Sequence, residues 1–263
     1  MEINYGIIEG RRASDYLGGT LPYEERNPSG DWTSYLPLGE WQANNFFDTF
    51  ACVTFSALNS LETQYKFLTG QSRNFSDRFT ARMSDTIPTV GNTLWRVGDS
   101  VRGDGIVDEA VWPSPDNYTE VTYYSPIPQE VKEKGKEFLK DWSVAYEWVD
   151  TDKASLIKHL KHSPLQAVIP GHAVLNFFTT QDIINYFDSY EPFLKQVNNI
   201  TWAFKYVLTP IKKTMTQEEV KKQYALAFYR APDAGELAYW TGRNLLEFLN
   251  TAIKDRAQFL NNQ

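Results

Sequence analysis

Asp48-Thr49-Phe50-Ala51-Cys52-Val53-Thr54-Phe55-Ser56-Ala57-Leu58-Asn59-Ser60-Leu61-Glu62 holds the only cysteine among 263 residues. Beyond Cys52, Leu58, Leu61, Tyr65 and Leu68 follow one another at i, i+3, i+7 and i+10, the apolar stripe of an amphipathic helix. Asp48 or Thr49 is placed to cap its start and Gly70 to stop it. Cys52 is therefore predicted at a helix N-terminus, where unpaired N–H groups and the helix dipole favour an anion and lower a thiol's pKa. A lone cysteine is also among the most buried residue types and packs as a small hydrophobe. The helix alone leaves both readings standing.

Working outward, the length allows one large domain, or a medium domain with a small appendage. Apolar residues make up 42% of the chain and aromatics 15%, ample for a packed core. One cysteine excludes an internal disulfide framework and any multi-cysteine metal site; no metal or other cofactor is expected. The opening MEINYGIIEGRR lacks a signal-peptide profile, and no run approaches a membrane span. The expectation is a protein of a reducing compartment, cytoplasmic or virion-associated if viral. A net charge of −7 with no basic run argues against a nucleic-acid partner.

Three parts are expected. Residues 1–30 are polar and turn-rich and read as an arm without a core of its own, too short for a folded inhibitory prodomain. Residues 31–210 form the main domain, helices first and strands later, hence α+β. In it, short helices are expected across 71–117 and a charged helix at 129–141. Strands are expected at Trp142–Val149, Leu165–Ile169, His172–Phe178, Ile183–Tyr190 and Trp202–Leu208, with a helix over Lys153–His162. Residues 211–263 read as three short helices. One is opened by the capping box Thr216-x-x-Glu219, one is capped by Asp233 with Glu236 at its third position, and the last spans about Leu245 to Phe259.

A cysteine nucleophile needs a base, and the base needs a group to orient it. Of three histidines, His159 and His162 end a short basic helix, where cations are favourable in any protein. His172 follows Pro170-Gly171 and opens an apolar strand. It is either a satisfied core residue or a functional base. Asp188 ends the next strand, so two adjacent antiparallel strands bring it to His172, unless it merely caps the turn before Ser189.

The chain at this point resembles the papain-like cysteine peptidase family. Cys52-Val53-Thr54-Phe55-Ser56-Ala57 is similar to that family's Cys-Trp-Ala-Phe-Ser-Ala, and Asn74-Phe75-Ser76-Asp77 to its Leu-Ser-Glu-Gln region. Gly105-Ile106-Val107-Asp108-Glu109 with Trp112-Pro113 resembles its Gly-Ile…Glu…Tyr-Pro. Gly171-His172-Ala173-Val174 resembles its Asp-His-Ala-Val, and Asp188-Ser189-Tyr190 falls where it has Asn-Ser-Trp. The five matches run in order across about residues 31–208. The resemblance implies a two-lobe fold, a helical lobe carrying the Cys helix and an antiparallel β lobe, here with a small C-terminal helical bundle. It implies Cys52 as nucleophile, His172 as its imidazolium partner and Asp188 in place of the family's Asn. A carboxylate there favours imidazolium more strongly than an amide does. The family completes its oxyanion hole with a Gln six residues before the cysteine. Phe46 stands at that position, so Gln42, or alternatively Asn45, is expected to serve across an insertion. Val53 replaces the family's hallmark Trp.

Phe228-Tyr229-Arg230-Ala231-Pro232-Asp233-Ala234-Gly235-Glu236-Leu237-Ala238-Tyr239-Trp240 resembles a short helical domain of unknown function found in bacterial surface and phage proteins. It implies a protein partner for 211–263; the alternative is a structural cap. Two functions follow. One is a cysteine peptidase acting on a peptide or protein substrate. The other is a catalytically weak or inactive relative serving as an assembly or structural component of a virus particle or surface layer. A cell-wall peptidase that also runs Cys then His fits the tyrosine- and proline-rich loops less well.

Overall fold

The computed structural model describes residues 5–8, 10, 12, 21, 24–211, 217–218, 220–221 and 231–243. The chain divides into two compact units, Met1–Thr209 and Pro210–Gln263.

In the first unit the Cys helix, α1, spans Cys52–Thr69 and ends at Gly70, whose left-handed backbone (φ 73°) lets its N–H reach Lys66 O. Its start differs from the expectation. Ala51 is the N-cap and makes no side-chain cap bond. Phe50 has φ 54°, in the left-handed region, so the chain turns sharply just before the helix. Asp48 and Thr49 brace that turn instead: Asp48 Oδ1 accepts from Phe50 N at 2.8 Å and Thr49 Oγ1 from Ala51 N at 3.3 Å. Every residue from Cys52 to Gln64 is buried, which the stripe alone did not imply. Leu58 and Leu61 lie in the core, with Tyr65 and Leu68 packed against it. The polar faces are met by partners. Ser60 Oγ donates to Pro164 O, Gln64 bonds Tyr206 O and Leu208 N, and Gln166 reaches Val53 O and Ser56 Oγ at 2.7 Å each. These bonds limit the desolvation penalty of a central helix, although the Thr54 hydroxyl is buried without a hydrogen-bond partner.

Four short helices follow. These are α2 (Asp77–Met83), capped by Ser76; α3 (Leu94–Asp104), capped by Thr93; α4 (Glu120–Tyr123); and α5 (Gln129–Phe138). Strand β1 (Trp142–Val149) and helix α6 (Lys153–Leu160), capped by Asp152, precede β2 (Leu165–Ile169), β3 (His172–Thr179), β4 (Ile184–Phe187), β5 (Leu194–Val197) and β6 (Trp202–Pro210). They form one sheet in the order β1-β6-β2-β3-β4-β5. The mixed helical and antiparallel architecture is the expected one. Strand β4 stops at Phe187, short of the expected Tyr190, because Asp188 N turns to Phe193 O at 2.8 Å. Strand β5 was not expected: it is a half-exposed edge strand of four residues, with no continuous apolar signal.

Two apolar clusters hold the sheet. One joins α1 and α3 to β1 and β6; the other packs Trp32, Leu156 and Leu160 on β2, β3 and β4. His159, in the last turn of α6, and His162, just beyond its end at Leu160, are not surface cations. His159 and His162 are buried. Burial, with Lys205 beside it, holds His159 down to about 4, and burial lowers His162 as well. Lys205 and Glu147 make a fully buried ion pair, and Lys205 Nζ lies 3.2 Å from His159 Nδ1. Glu147 also accepts from Leu21 N.

The described residues among 1–30 are tied to the rest of the first unit. Arg26 N and Asn27 N both donate to Lys161 O at 2.9 Å, Arg12 pairs with Asp99 at 2.8 Å, and Ile7 is buried in the first core cluster. In the second unit α7 (Ala234–Trp240) is capped by Asp233, with Glu236 returning to the Asp233 N–H in a capping box. The Thr216–Glu219 box and the helix expected over 245–259 lie outside the described residues. Among the described residues no helix is long and apolar enough to cross a membrane.

Candidate active site

The site sits where the start of α1 meets the start of β3. The register Ile169↔His172 and Val168↔Ala173 places β3 beside β2, and the Ala173 N–H points at Cys52 Sγ, 3.4 Å away. His172 Nε2 lies 2.6 Å from Asp188 Oδ1, across the β3–β4 pair. Both side chains are 4% exposed. With Nε2–H given to the carboxylate, Nδ1 is the free nitrogen of the neutral ring, and it is buried without a hydrogen-bond partner. Such an imidazole can take up and return one proton at Nδ1 while Asp188 fixes its orientation. Burial works to raise the Asp188 carboxyl. The bonds from His172 and Lys195 outweigh it and hold the group below its ordinary range.

Gln42 is fully buried beside these residues. Its Oε1 accepts from Ser189 Oγ at 2.8 Å, which fixes the amide so that Nε2 points inward. Nε2 donates to Asp48 Oδ1 at 3.1 Å and to the backbone carbonyl of Tyr5 at 3.0 Å. Asp48 Oδ2 takes the Tyr190 hydroxyl. Asn45, the alternative amide, is exposed and outside this cluster, and Phe46 is 70% exposed.

The N-terminal segment threads through the same place. Tyr5 N donates to Gly171 O at 2.7 Å, and its ring meets the His172 ring edge-on at 5.0 Å. Asn92 N donates to Gly6 O and Ile8 N to Asn92 O, a parallel bridge around Ile7. The fit admits only glycine. A Cβ on Gly6 (φ 112°) would lie 2.0 Å from Phe50 O, and one on Gly91 (φ 105°) 1.9 Å from Gly6 O. Ile7 of this segment packs in the same apolar cluster as Cys52, which has no exposed surface. Burial pushes its thiol up to about 12, aided by the Asp48 and Asp188 charges and opposed by the Ala173 N–H. The lowering expected from the helix N-terminus is outweighed because no water reaches the sulfur.

Of the residues singled out from the sequence, Gln42, Cys52, His172 and Asp188 come together and Asn45 does not. Tyr5, Asp48, Ser189 and Lys195 were missed as site residues. Asp48 carried a signal as a helix-start residue and Ser189 as part of the Asp188-Ser189-Tyr190 match, though the amide they hold was not foreseeable.

No protein-family profile matches the chain, and no curated protein is significantly similar to it. Solved structures are similar. A digestive procathepsin L 3 of Tenebrio molitor larval midgut superposes with TM-score 0.57 at 15% identity, over 78% of this chain and 76% of that one. The Amb a 11 cysteine protease of ragweed pollen, in its proform, gives TM-score 0.50 at 14% identity, over 69% of this chain and 58% of that one. At such identities the likeness concerns architecture, and the chain has the papain-like fold.

Proposed function

We propose that the chain is a papain-type cysteine peptidase, held closed here by its own N-terminal segment. The observation that carries the proposal is the His172–Asp188 contact at 2.6 Å on the strand whose next N–H reaches Cys52 Sγ. Cys52 gives its proton to His172 Nδ1, and Sγ attacks the carbonyl carbon of a peptide. The oxygen takes the negative charge between the Cys52 N–H and Gln42 Nε2. His172 passes the proton to the amide nitrogen, the C–N bond breaks and the amine leaves. Water, deprotonated by His172, then hydrolyses the thioester and restores the thiol. Tyr5 supports this reading, since a peptide unit is held there by an N–H to Gly171 O and a carbonyl on Gln42 Nε2. In the closed form the thiol is protonated and covered, so turnover requires the segment to leave.

The test is cleavage of a set of fluorogenic peptides by the chain lacking residues 1–8, with and without Cys52→Ala. Cleavage abolished by Cys52→Ala supports the proposal; equal cleavage by both refutes it. The covered site also favours the second reading, a fold kept for assembly without turnover. In that case the shortened chain cleaves nothing although its cysteine becomes reactive. The described part of 211–263 contains no ionisable cluster resembling this site, and we assign that unit to partner attachment.

A further inference from the structure

Asp188 has two oxygens and two partners. Oδ1 faces His172 Nε2 at 2.6 Å, and Oδ2 faces Lys195 Nζ at 2.7 Å. Lys195 stands on the edge strand β5, paired with Tyr186 of β4, one register position beyond the Phe187↔Leu194 pair that leads into Asp188. Asp188 is 4% exposed and Lys195 26%, so the ion pair is shielded on the histidine side and touches solvent only at the ammonium. We infer that Lys195 is a positioning residue that turns Asp188 into an electrically neutral orienter of His172. A carboxylate and an ammonium in contact carry no net charge, yet the carboxylate still accepts the Nε2–H. The pair thus does what a neutral amide would do at that position, and does not impose the full charge of a lone buried carboxylate on the imidazole. This role rests on the proposed base function of His172, but its test does not require turnover.

The other groups facing the pair keep their places in the comparison. They are Cys52 from α1, Asp48 through the Tyr190 hydroxyl, the Tyr5 and Tyr190 rings on His172, and Tyr186 from β4. None of these supplies a second cation to Asp188.

The experiment is an NMR pH titration of the imidazole signals of the full chain, which has only three histidines. Replacing Lys195 by Met leaves the carboxylate charge acting alone on His172, and its titration midpoint should rise by about one pH unit, the size expected for a lost charge a few ångströms away in a partly screened site. The double change Lys195→Met with Asp188→Asn restores a neutral orienter and should return the midpoint to within a few tenths of the unchanged chain. Asp188→Asn alone leaves an uncompensated ammonium and should lower it. Lys195→Arg keeps the charge and the midpoint. A Lys195→Met midpoint equal to that of the unchanged chain overturns the inference, as does a double variant that shifts as far as the single one. Signals of His159 and His162 report whether each variant is folded. Failure of peptide cleavage with these shifts intact would count against the peptidase reading and not against Lys195.

Discussion

Gly6 is the position where one added atom should open the site. Its Cβ would stand 2.0 Å from the Phe50 carbonyl oxygen, which belongs to backbone and cannot rotate away. Gly6→Ala therefore cannot keep Tyr5–Ile8 in its groove. Among the described residues, four hydrogen bonds of the segment's backbone, to the Gly171 carbonyl, the Gln42 side-chain amide and twice to the Asn92 backbone, contribute roughly 1 kcal/mol each. Burial of Ile7 adds about 2 kcal/mol. Ordering four residues opposes this by about 4 kcal/mol, the low end of the range because Arg12–Asp99 already tethers the chain downstream. The net hold is about 2 kcal/mol, or roughly thirty-fold in the open population. The assay is alkylation of Cys52 by iodoacetamide at pH 7, followed by intact mass, with one possible adduct because there is one cysteine. In the unchanged chain alkylation waits for opening, since the closed thiol is covered and held up to about 12. Gly6→Ala should react about thirty times faster at the same pH. An unchanged rate in a variant that melts as the parent does would refute the strap, because the thiol would then be covered by something other than residues 5–8.

Three further outcomes are expected. In a chain lacking residues 1–8, Gln42→Ala should lower kcat about 10²- to 10³-fold with little change in KM, the loss typical of one oxyanion donor. Equal loss in both constants would move Gln42 to substrate binding. Lys205→Met removes the cation from fully buried Glu147 and should cost about 3–5 kcal/mol in urea unfolding; a cost below 1 kcal/mol would mean that the pair is replaceable by packing. Glu62 and Asp77 are buried carboxyls held well above their ordinary range by desolvation, with neighbouring acids such as Glu40 adding to it. The folded state binds their protons more tightly than the unfolded chain, so their effect on stability is least costly at low pH and worsens as pH rises above the ordinary carboxyl range. Glu62→Gln, which keeps an acceptor for Phe75 N, should flatten the fall of the urea midpoint between pH 4 and 7. An unaltered slope would refute the assignment. His159, held down to about 4, acts in the opposite sense, its contribution full above 6.5 and lost as pH falls toward 4, so the slope is read against the unchanged chain.

The elements that could be read in advance are those whose burial writes a local period. The Cys helix carries one in Leu58 and Leu61. Strands β1 and β2 carry one in Trp142–Val149 and Leu165–Ile169, and the His172–Asp188 meeting follows from two strands adjacent in sequence being adjacent in the sheet. What could not be read depends on partners far along the chain. Gln42 is fixed by Ser189 and Tyr5, Asp188 is neutralised from an edge strand with no apolar signal, and Tyr5 is seated by Gly171 and Asn92. Glycine in Tyr5-Gly6-Ile7 looks like a turn until Phe50 O and Gly91 are seen against it. The two initial readings of Cys52 then describe separate properties of one residue. It is buried as a core thiol is buried, among Val168 and Ala173 of the sheet and Ile7 of the N-terminal segment, and it also lies beside His172 and Asp188. A thiol needed only for packing would gain nothing from a histidine with one nitrogen held by a carboxylate and the other left unbonded on the adjoining strand. Leaving that nitrogen buried and unpaired has a desolvation cost. A base role for His172, as proposed, would account for that cost, whereas packing alone would not.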